Sequence, residues 1–393
     1  MNRARVLFLA VSLALTVPLV AGVLWSAAVE RRADDGGDSL YKYLTMFSEV
    51  LGLVRNDYVD ATEAEKLLAG ALDGATDALD PFSVFVPRAA RAEFARVIEV
   101  GRSRSGISLG HDHGIVYVLA VEDGSPAATA GFTAGDLVAE VGGVSTRELP
   151  HWRLERLLAG QPGDTLAVEV LRRGEAHDLE LVLADYAPPR AVLSEAGGLP
   201  LLRLPSIGGG AAAEVRPLLE QLAAAGAAKL LLDLRGVAGG APVAAYEVAS
   251  LLADGHLGRR VARGATLREF AGASPLWKGE IVVLVDAGTQ GPAELVAAVL
   301  RDRAGARLVG ARTFGWAGER EMIELSDGAA LLLTTSFYCG PDGTPMSKGL
   351  APEVLVDDLQ RSFGERDKPL GDLILERGIE VLSGADATAR QAA

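Results

Sequence analysis

The sequence predicts a multidomain α/β protein: an N-terminal membrane helix, a helical segment, a small β domain and an α/β core with a largely parallel sheet. Three observations predict it. An uncharged run from Val6 to Val29 is long enough to span a bilayer, which takes about 20 apolar residues. Between Gly101 and Tyr186, short alternating strands are separated by turn signals. From Ala191 onward, longer apolar strands alternate with helices, as in a sheet with crossover connections. A chain of 393 residues that is 49% hydrophobic buries a sizeable core and is not disordered.

Composition excludes several function classes. A net charge of −14 argues against binding to nucleic-acid phosphates, which needs a concentrated basic face. Cys339 is the single cysteine, so there is no internal disulfide and no cysteine metal cluster. His111, His113, His151, His177 and His256 lack zinc-site spacing, so neither a metal nor a cofactor is expected.

At the N-terminus, Arg3 and Arg5 precede the apolar run and Glu30, Arg31 and Arg32 end it. Positive charge on that side predicts a cytoplasmic N-terminus with the bulk of the chain exported. Residues 1–32 are thus a signal-anchor, or a cleaved signal peptide with small residues at Ser26-Ala27-Ala28. The expected location is the inner membrane, single-pass, facing the periplasm or cell exterior. If the N-terminus is cleaved, the chain is periplasmic or secreted.

Residues 40–95 form the helical segment. Leu44, Phe47, Val50, Leu51 and Val54 recur at helical spacing, and a second helix follows at Ala64–Leu79. Glu49-Val50-Leu51, Asn56-Asp57-Tyr58-Val59 and Leu79-Asp80-Pro81-Phe82-Ser83 resemble the opening helices of carboxy-terminal processing (tail-specific) serine peptidases.

Residues 96–187 contain Ser125-Pro126-Ala127-Ala128-Thr129-Ala130-Gly131-Phe132 and then Gly135-Asp136-Leu137-Val138, which resemble the core signature of PDZ domains. Leu149–Leu158 supplies a helix. Such domains add a peptide to a sheet edge, and a backbone loop takes its C-terminal carboxylate. The resemblance places that loop at Ser105 to Leu109, with Gly106, Ile107, Ser108 and Leu109 as peptide-binding residues. Ser108 stands where the family usually has glycine, and a positive φ is costlier there. A purely structural PDZ fold is the alternative.

Residues 188–383 form the α/β core, and 384–393 a small-residue tail. Strands are predicted at Leu199–Leu204, Lys229–Arg235, Val282–Val285 and Leu331–Phe337, with helices at Ala211–Ala225, Val243–Ala253 and Pro369–Leu382. Asp233-Leu234-Arg235-Gly236-Val237-Ala238-Gly239-Gly240 resembles the peptidases' Asp-Leu-Arg-x-Asn-Pro-Gly-Gly loop, so Gly239 and Gly240 mark an oxyanion-type loop. A glycine helix cap would give the same pair. Lys348-Gly349-Leu350-Ala351-Pro352 resembles a further family segment.

Strand Val282–Val285 leads through Gly288-Thr289-Gln290-Gly291 into a helix opened by Pro292. A strand-turn-helix of this kind suits a nucleophile, because backbone N–H groups and the helix end favour an oxyanion. The family pattern Gly-Ser/Thr-Ala-Ser-Ala-Ser-Glu aligns with Gly288 to Glu294, and Gly-Glu-x-Thr-Phe-Gly-Lys-Gly-x-x-Gln with Gly310 to Arg320. The resemblance implies that the nucleophilic serine, the lysine base and its orienting glutamine are replaced by Gly291, Trp316 and Arg320. Glycine carries no nucleophile, an indole N–H accepts no proton, and arginine keeps its own. Thr289 and Cys339 are the remaining candidate nucleophiles, and ordinary turn or strand packing is the favoured reading of each.

The resemblance therefore implies a catalytically degenerate, non-catalytic homologue that binds protein C-terminal tails or a partner protein and regulates an active paralogue. The alternative is an endopeptidase with a non-standard site. Homodimerisation through terminal helices is implied by resemblance alone.

Overall fold

The computed structural model describes residues 41–100, 104–112, 114–149, 151–187, 189–356 and 368–384. The run Val6–Val29 and the final tail lie outside them. Among the described residues no helix is long and apolar enough to cross a membrane. The chain divides into two compact units, at Leu72 and Asp73.

In the first unit, α1 (41–57) carries the expected apolar stripe, with Leu51 and Val54 half-buried. Leu44 and Val50 nevertheless stay more than half exposed. Helix α2 (Ala64–Asp77) follows, two residues shorter than its periodicity predicts.

In the second unit, which begins within α2 at Asp73, Asp80 builds a turn by accepting from the Phe82 and Ser83 amides, both at 2.8 Å. This turn delivers β1 (Val84–Val86), and α3 (Arg91–Val100) then crosses the expected domain boundary at 95/96.

The small β domain runs through β2 (Ile107–Asp112), β3 (Ile115–Val121), α4 (Pro126–Ala130), β4 (Leu137–Val141), β5 (Val144–Ser145), α5 (His151–Leu158), β6 (Thr165–Arg172) and β7 (Glu175–Val182). Its sheet has the order β2-β3-β4-β6-β7, with β5 on β4. Local sequence fixes α4: the Ser125 hydroxyl caps it by accepting from Ala128 N at 3.1 Å, and Gly131 ends it at φ 87°. The expected carboxylate loop is the start of β2. Ile107 and Ser108 already pair with Val121 and Ala120, and the positive φ, 70°, falls on Gly106 rather than Ser108.

The core contains β8 (Val192–Ala196), β9 (Leu199–Arg203), α6 (Ala211–Ala224), β10 (Lys229–Asp233), α7 (Pro242–Ala249), β11 (Gly255–Ala262), β12 (Ala265–Gly272), β13 (Glu280–Val285), α8 (Pro292–Ala304), β14 (Arg307–Gly310), β15 (Gly318–Glu324), β16 (Ala330–Cys339), β17 (Val354–Leu355) and α9 (Leu370–Ser383). One sheet has the order β17-β14-β13-β10-β9-β8. The strand period of two sends Leu230, Leu232, Val283 and Val285 to one face, among α6, α7 and α8. Leu231, Val282 and Leu284 face the other way, under Ile374 and Val381 of α9. Burying each such side chain is worth about 1.5–3 kcal/mol. Both faces are covered, so these strands read as unbroken apolar runs.

The expectation of a largely parallel sheet needs correction. The pairings among β9, β10, β13, β14 and β17 are parallel. The remaining pairings between named strands are antiparallel, including all of a second core sheet, β1-β16-β11-β12 with β15 on β16. The reason is connectivity. Crossover helices return the chain parallel, whereas β11–β12 is a two-residue hairpin and β15–β16 a short turn.

Candidate functional site

The turn from β13 to α8 is held from within. Asp286 Oδ1 accepts from Gly236 N at 2.8 Å and Gly288 N at 3.0 Å. Burial pushes its carboxyl up, against the pull of these bonds. Thr289 is fully buried. Its hydroxyl lies 3.0 Å from Leu234 O and 3.1 Å from Asp286 Oδ1, and accepts from Asp286 N at 3.0 Å. Gln290 N donates to Val237 O at 2.9 Å, which sets the glycine loop against the turn. In that loop Gly239 and Gly240 have φ of 78° and 114°, and a Cβ on Gly240 would stand 2.4 Å from Ile207 O. Only glycine fits there.

Gly291 has φ 56° and ψ −109°, a backbone conformation that side chains rarely adopt. A Cβ there would point at Trp316 O, 3.1 Å away. Pro292 follows as the first residue of α8, whose residues from Pro292 to Leu300 are all buried. In strand-turn-helix hydrolase sites the amide after the nucleophile is an oxyanion donor. Proline has no N–H to offer. Sequence periodicity reads Pro292 as a good helix start, and the missing donor is the second meaning of that residue.

Glu294 connects the turn to the loop bearing Trp316. Its Oε2 accepts from Gly291 N at 2.9 Å and Trp316 N at 3.0 Å. Its Oε1 accepts from Gly315 N at 2.7 Å and from the Thr313 hydroxyl. Burial pushes this carboxyl up, and the four donors oppose that shift. The Thr313 hydroxyl in turn accepts from Leu350 N at 2.8 Å, and Phe314 N donates to Thr289 O at 3.1 Å. The Lys348-Gly349-Leu350 segment thereby packs along the Thr313–Gly315 loop.

Trp316 lies against Phe82, with ring centroids 4.2 Å apart, and Phe314 meets Phe82 edge-on at 5.8 Å. The Trp316 indole Nε1 is buried without a hydrogen-bond partner. Arg320 reaches the same residue, with its guanidinium 6.0 Å from the Phe82 ring and Nη1 3.4 Å from its carbonyl. The structure thus gathers Gly291, Trp316 and Arg320 in one place and adds Phe82, which sequence patterns did not connect to them. Cys339 lies on β16, fully buried, and burial raises its thiol pKa. Gly106 to Leu109 lie in the small β domain, whose strand β3 touches the turn: a Cβ on Gly288 would come within 2.8 Å of Leu119 O.

This arrangement of a glycine loop, a strand-turn-helix and a Thr-Phe-Gly loop joined to a small β domain defines a peptidase-type core with a peptide-binding module. Residues 199–356 match peptidase family S41 and residues 104–183 match the PDZ domain. The chain thus carries an S41 peptidase domain and a PDZ domain, and its relatives are named carboxy-terminal processing proteases. It is 29% identical over 284 residues to the carboxyl-terminal-processing protease of Synechocystis sp., covering 70% of this chain and 66% of that one. It is 27% identical over 391 residues to the carboxy-terminal-processing protease of Bartonella bacilliformis, covering 95% and 90%. With carboxy-terminal processing protease CtpA of Bacillus subtilis, 26% identity over 232 residues covers 58% of this chain and 49% of the relative, so the match spans about half of that protein. Among solved structures, a photosystem II D1 C-terminal processing protease superposes with TM-score 0.63 at 24% identity, covering 80% of this chain and 92% of that one. That likeness shows the fold.

Proposed function

We propose that this chain is a non-hydrolysing member of the carboxy-terminal processing protease group that binds polypeptides through its PDZ domain, tethered to the membrane by Val6–Val29. The observation that carries the reading is Gly291. At the position where the nucleophile belongs there is no side chain, and the surrounding turn is otherwise intact. Acyl transfer also needs a proton acceptor and oxyanion donors. Trp316 cannot take a proton, Arg320 keeps its own, and Pro292 has no amide hydrogen. The Thr289 hydroxyl is committed to the backbone beneath the turn, which argues against it as a substitute nucleophile. What remains is a scaffold with a peptide-binding module, suited to holding exported polypeptides or modulating an active paralogue.

The test uses purified full-length chain, an unfolded substrate with an apolar tail, and mass spectrometry of the products. Binding without fragments is expected. Cleavage that disappears in a folded Thr289→Ala variant would overturn the proposal.

A further inference from the structure

Among the described residues β2 is an edge strand of the PDZ sheet, because it pairs with β3 alone; β7 is the edge at the other end. Ile107 and Leu109 of that strand pack in one apolar cluster with Leu154 and Leu158 of α5. A strand added to this edge gains main-chain hydrogen bonds, and alternate side chains meet the apolar groove. Reading a free C-terminus needs more. Backbone N–H groups at the start of β2 must be unengaged, and the local field must favour an anion.

Three observations at this point run the other way. First, Ile107 N donates to the Ser105 hydroxyl at 3.2 Å, so an amide of the loop is satisfied from inside. Second, Arg104, two residues before Gly106, is tied down: its Nε meets Asp185 Oδ1 at 2.8 Å, and its Nη1 donates to Gly160 O at 2.9 Å. Third, a fixed carboxylate stands at the loop. Glu122 N donates to Gly106 O at 2.8 Å, and Glu122 Oε2 accepts from the Tyr186 hydroxyl at 2.7 Å. That hydroxyl lies 2.7 Å from where a Cβ on Gly106 would be. Arg203 of the core, the cation beside the next residue, is likewise engaged, at 3.4 Å by Asp123. A ligand carboxylate arriving here meets like charge, and like charges at short range repel.

We infer that the β2 edge takes an internal extended segment of a polypeptide, and that a free C-terminal carboxylate is disfavoured. This rests on the polypeptide-binding reading above and names its ligand class. A segment that continues past Gly106 brings no terminal charge, and its backbone N–H groups are compatible with Glu122.

The experiment uses the full-length chain and two phage libraries of the same random heptapeptides. One displays them at a free C-terminus, and the other embeds them between neutral flanks. Enriched sequences are then synthesised as free acid, C-terminal amide and embedded peptide, and titrated calorimetrically. Enrichment of embedded clones, with the free acid at least threefold weaker than the embedded form, is expected. Enrichment confined to the free-terminus library, or a free acid binding as tightly as the embedded form, would overturn the inference while leaving polypeptide binding in place. No enrichment in either library would remove the polypeptide-binding reading, and this inference with it. In a Glu122→Gln variant the free acid should gain at least threefold and the embedded peptide should not change. An unchanged free acid would show that Glu122 is not the cause.

Discussion

The rings of Trp316 and Phe82 stand 4.2 Å apart at 44°, joining the loop where a peptidase base belongs to the turn that precedes β1. Phe82 is nearly fully buried, and Arg320 completes the contact through its guanidinium and the Phe82 carbonyl. Truncating a buried Phe costs about 3–5 kcal/mol. Phe82→Ala should therefore lower unfolding free energy by about 3 kcal/mol in urea titration. A double-mutant cycle with Trp316→Ala should show coupling of about 0.5–1.5 kcal/mol. Additive losses would mean that the two rings merely share a neighbourhood.

On the reading proposed above, a gain of hydrolysis should require replacing Pro292. The triple variant Gly291→Ser, Trp316→Lys, Arg320→Gln should remain without measurable turnover, and adding Pro292→Ala should raise the rate. Removal of one oxyanion donor lowers kcat by about 100- to 1000-fold, which sets the gain to look for. Equal rates for triple and quadruple variants would show that the amide at 292 is not a donor in this site.

Serine at 291 should also be tested alone for stability. The φ of 56° and the 3.1 Å approach of Trp316 O make any side chain strained there. Gly291→Ser should lower stability by about 1–3 kcal/mol in thermal or urea unfolding. No loss would mean that the turn relaxes freely.

Glu294 should be a stability residue. Its two oxygens accept four hydrogen bonds with no exposure to solvent. Glutamine would turn an NH2 group toward donors, so Glu294→Gln should cost about 3 kcal/mol. Tryptophan fluorescence during urea unfolding reads the loss, and a change below 1 kcal/mol would argue against the role assigned to the carboxylate.

The pH dependence should carry the mark of Asp73. Burial, and then the neighbouring Asp77, push its carboxyl up to about 6 from 3.8. The folded state therefore binds this proton more tightly than the unfolded chain. The contribution is fully present below 3.8 and is lost as pH rises through about 6. Asp73→Asn should match the parent chain near pH 4 and exceed it at pH 7 by on the order of 1–2 kcal/mol, allowing for solvent screening. Equal pH profiles would remove Asp73 as the source.

Where one pattern governs a residue, the sequence was readable. The apolar runs of β10 and β13 and the helix starts at Pro126 and Pro292 follow local rules, and the alignment from Gly288 to Arg320 rests on residues that keep their spacing. Elements governed by distant partners were not readable. Val84-Phe85-Val86 is too short for periodicity and is a strand because β16 lies beside it. Ser105-Gly106 reads as a loop, yet Ile107 and Ser108 already pair with β3. In β11, Arg259 and Arg260 break the apolar pattern. Arg260 still finds Ser336 at 2.7 Å on the neighbouring β16 and Glu321 at 3.6 Å on β15. The meeting of Phe82 with Trp316 joins residues far apart in the chain, and no spacing rule reaches that distance.

On the proposed reading, Pro292 serves the fold and withholds chemistry at the same position. A helix welcomes proline at its first position, so folding exerts no pressure to replace it. Replacing it alone would restore no hydrolysis while Gly291 and Trp316 persist, and replacing either of those alone meets the same silence. Under that reading, the residue that starts α8 is also one that a return to hydrolysis would have to give up.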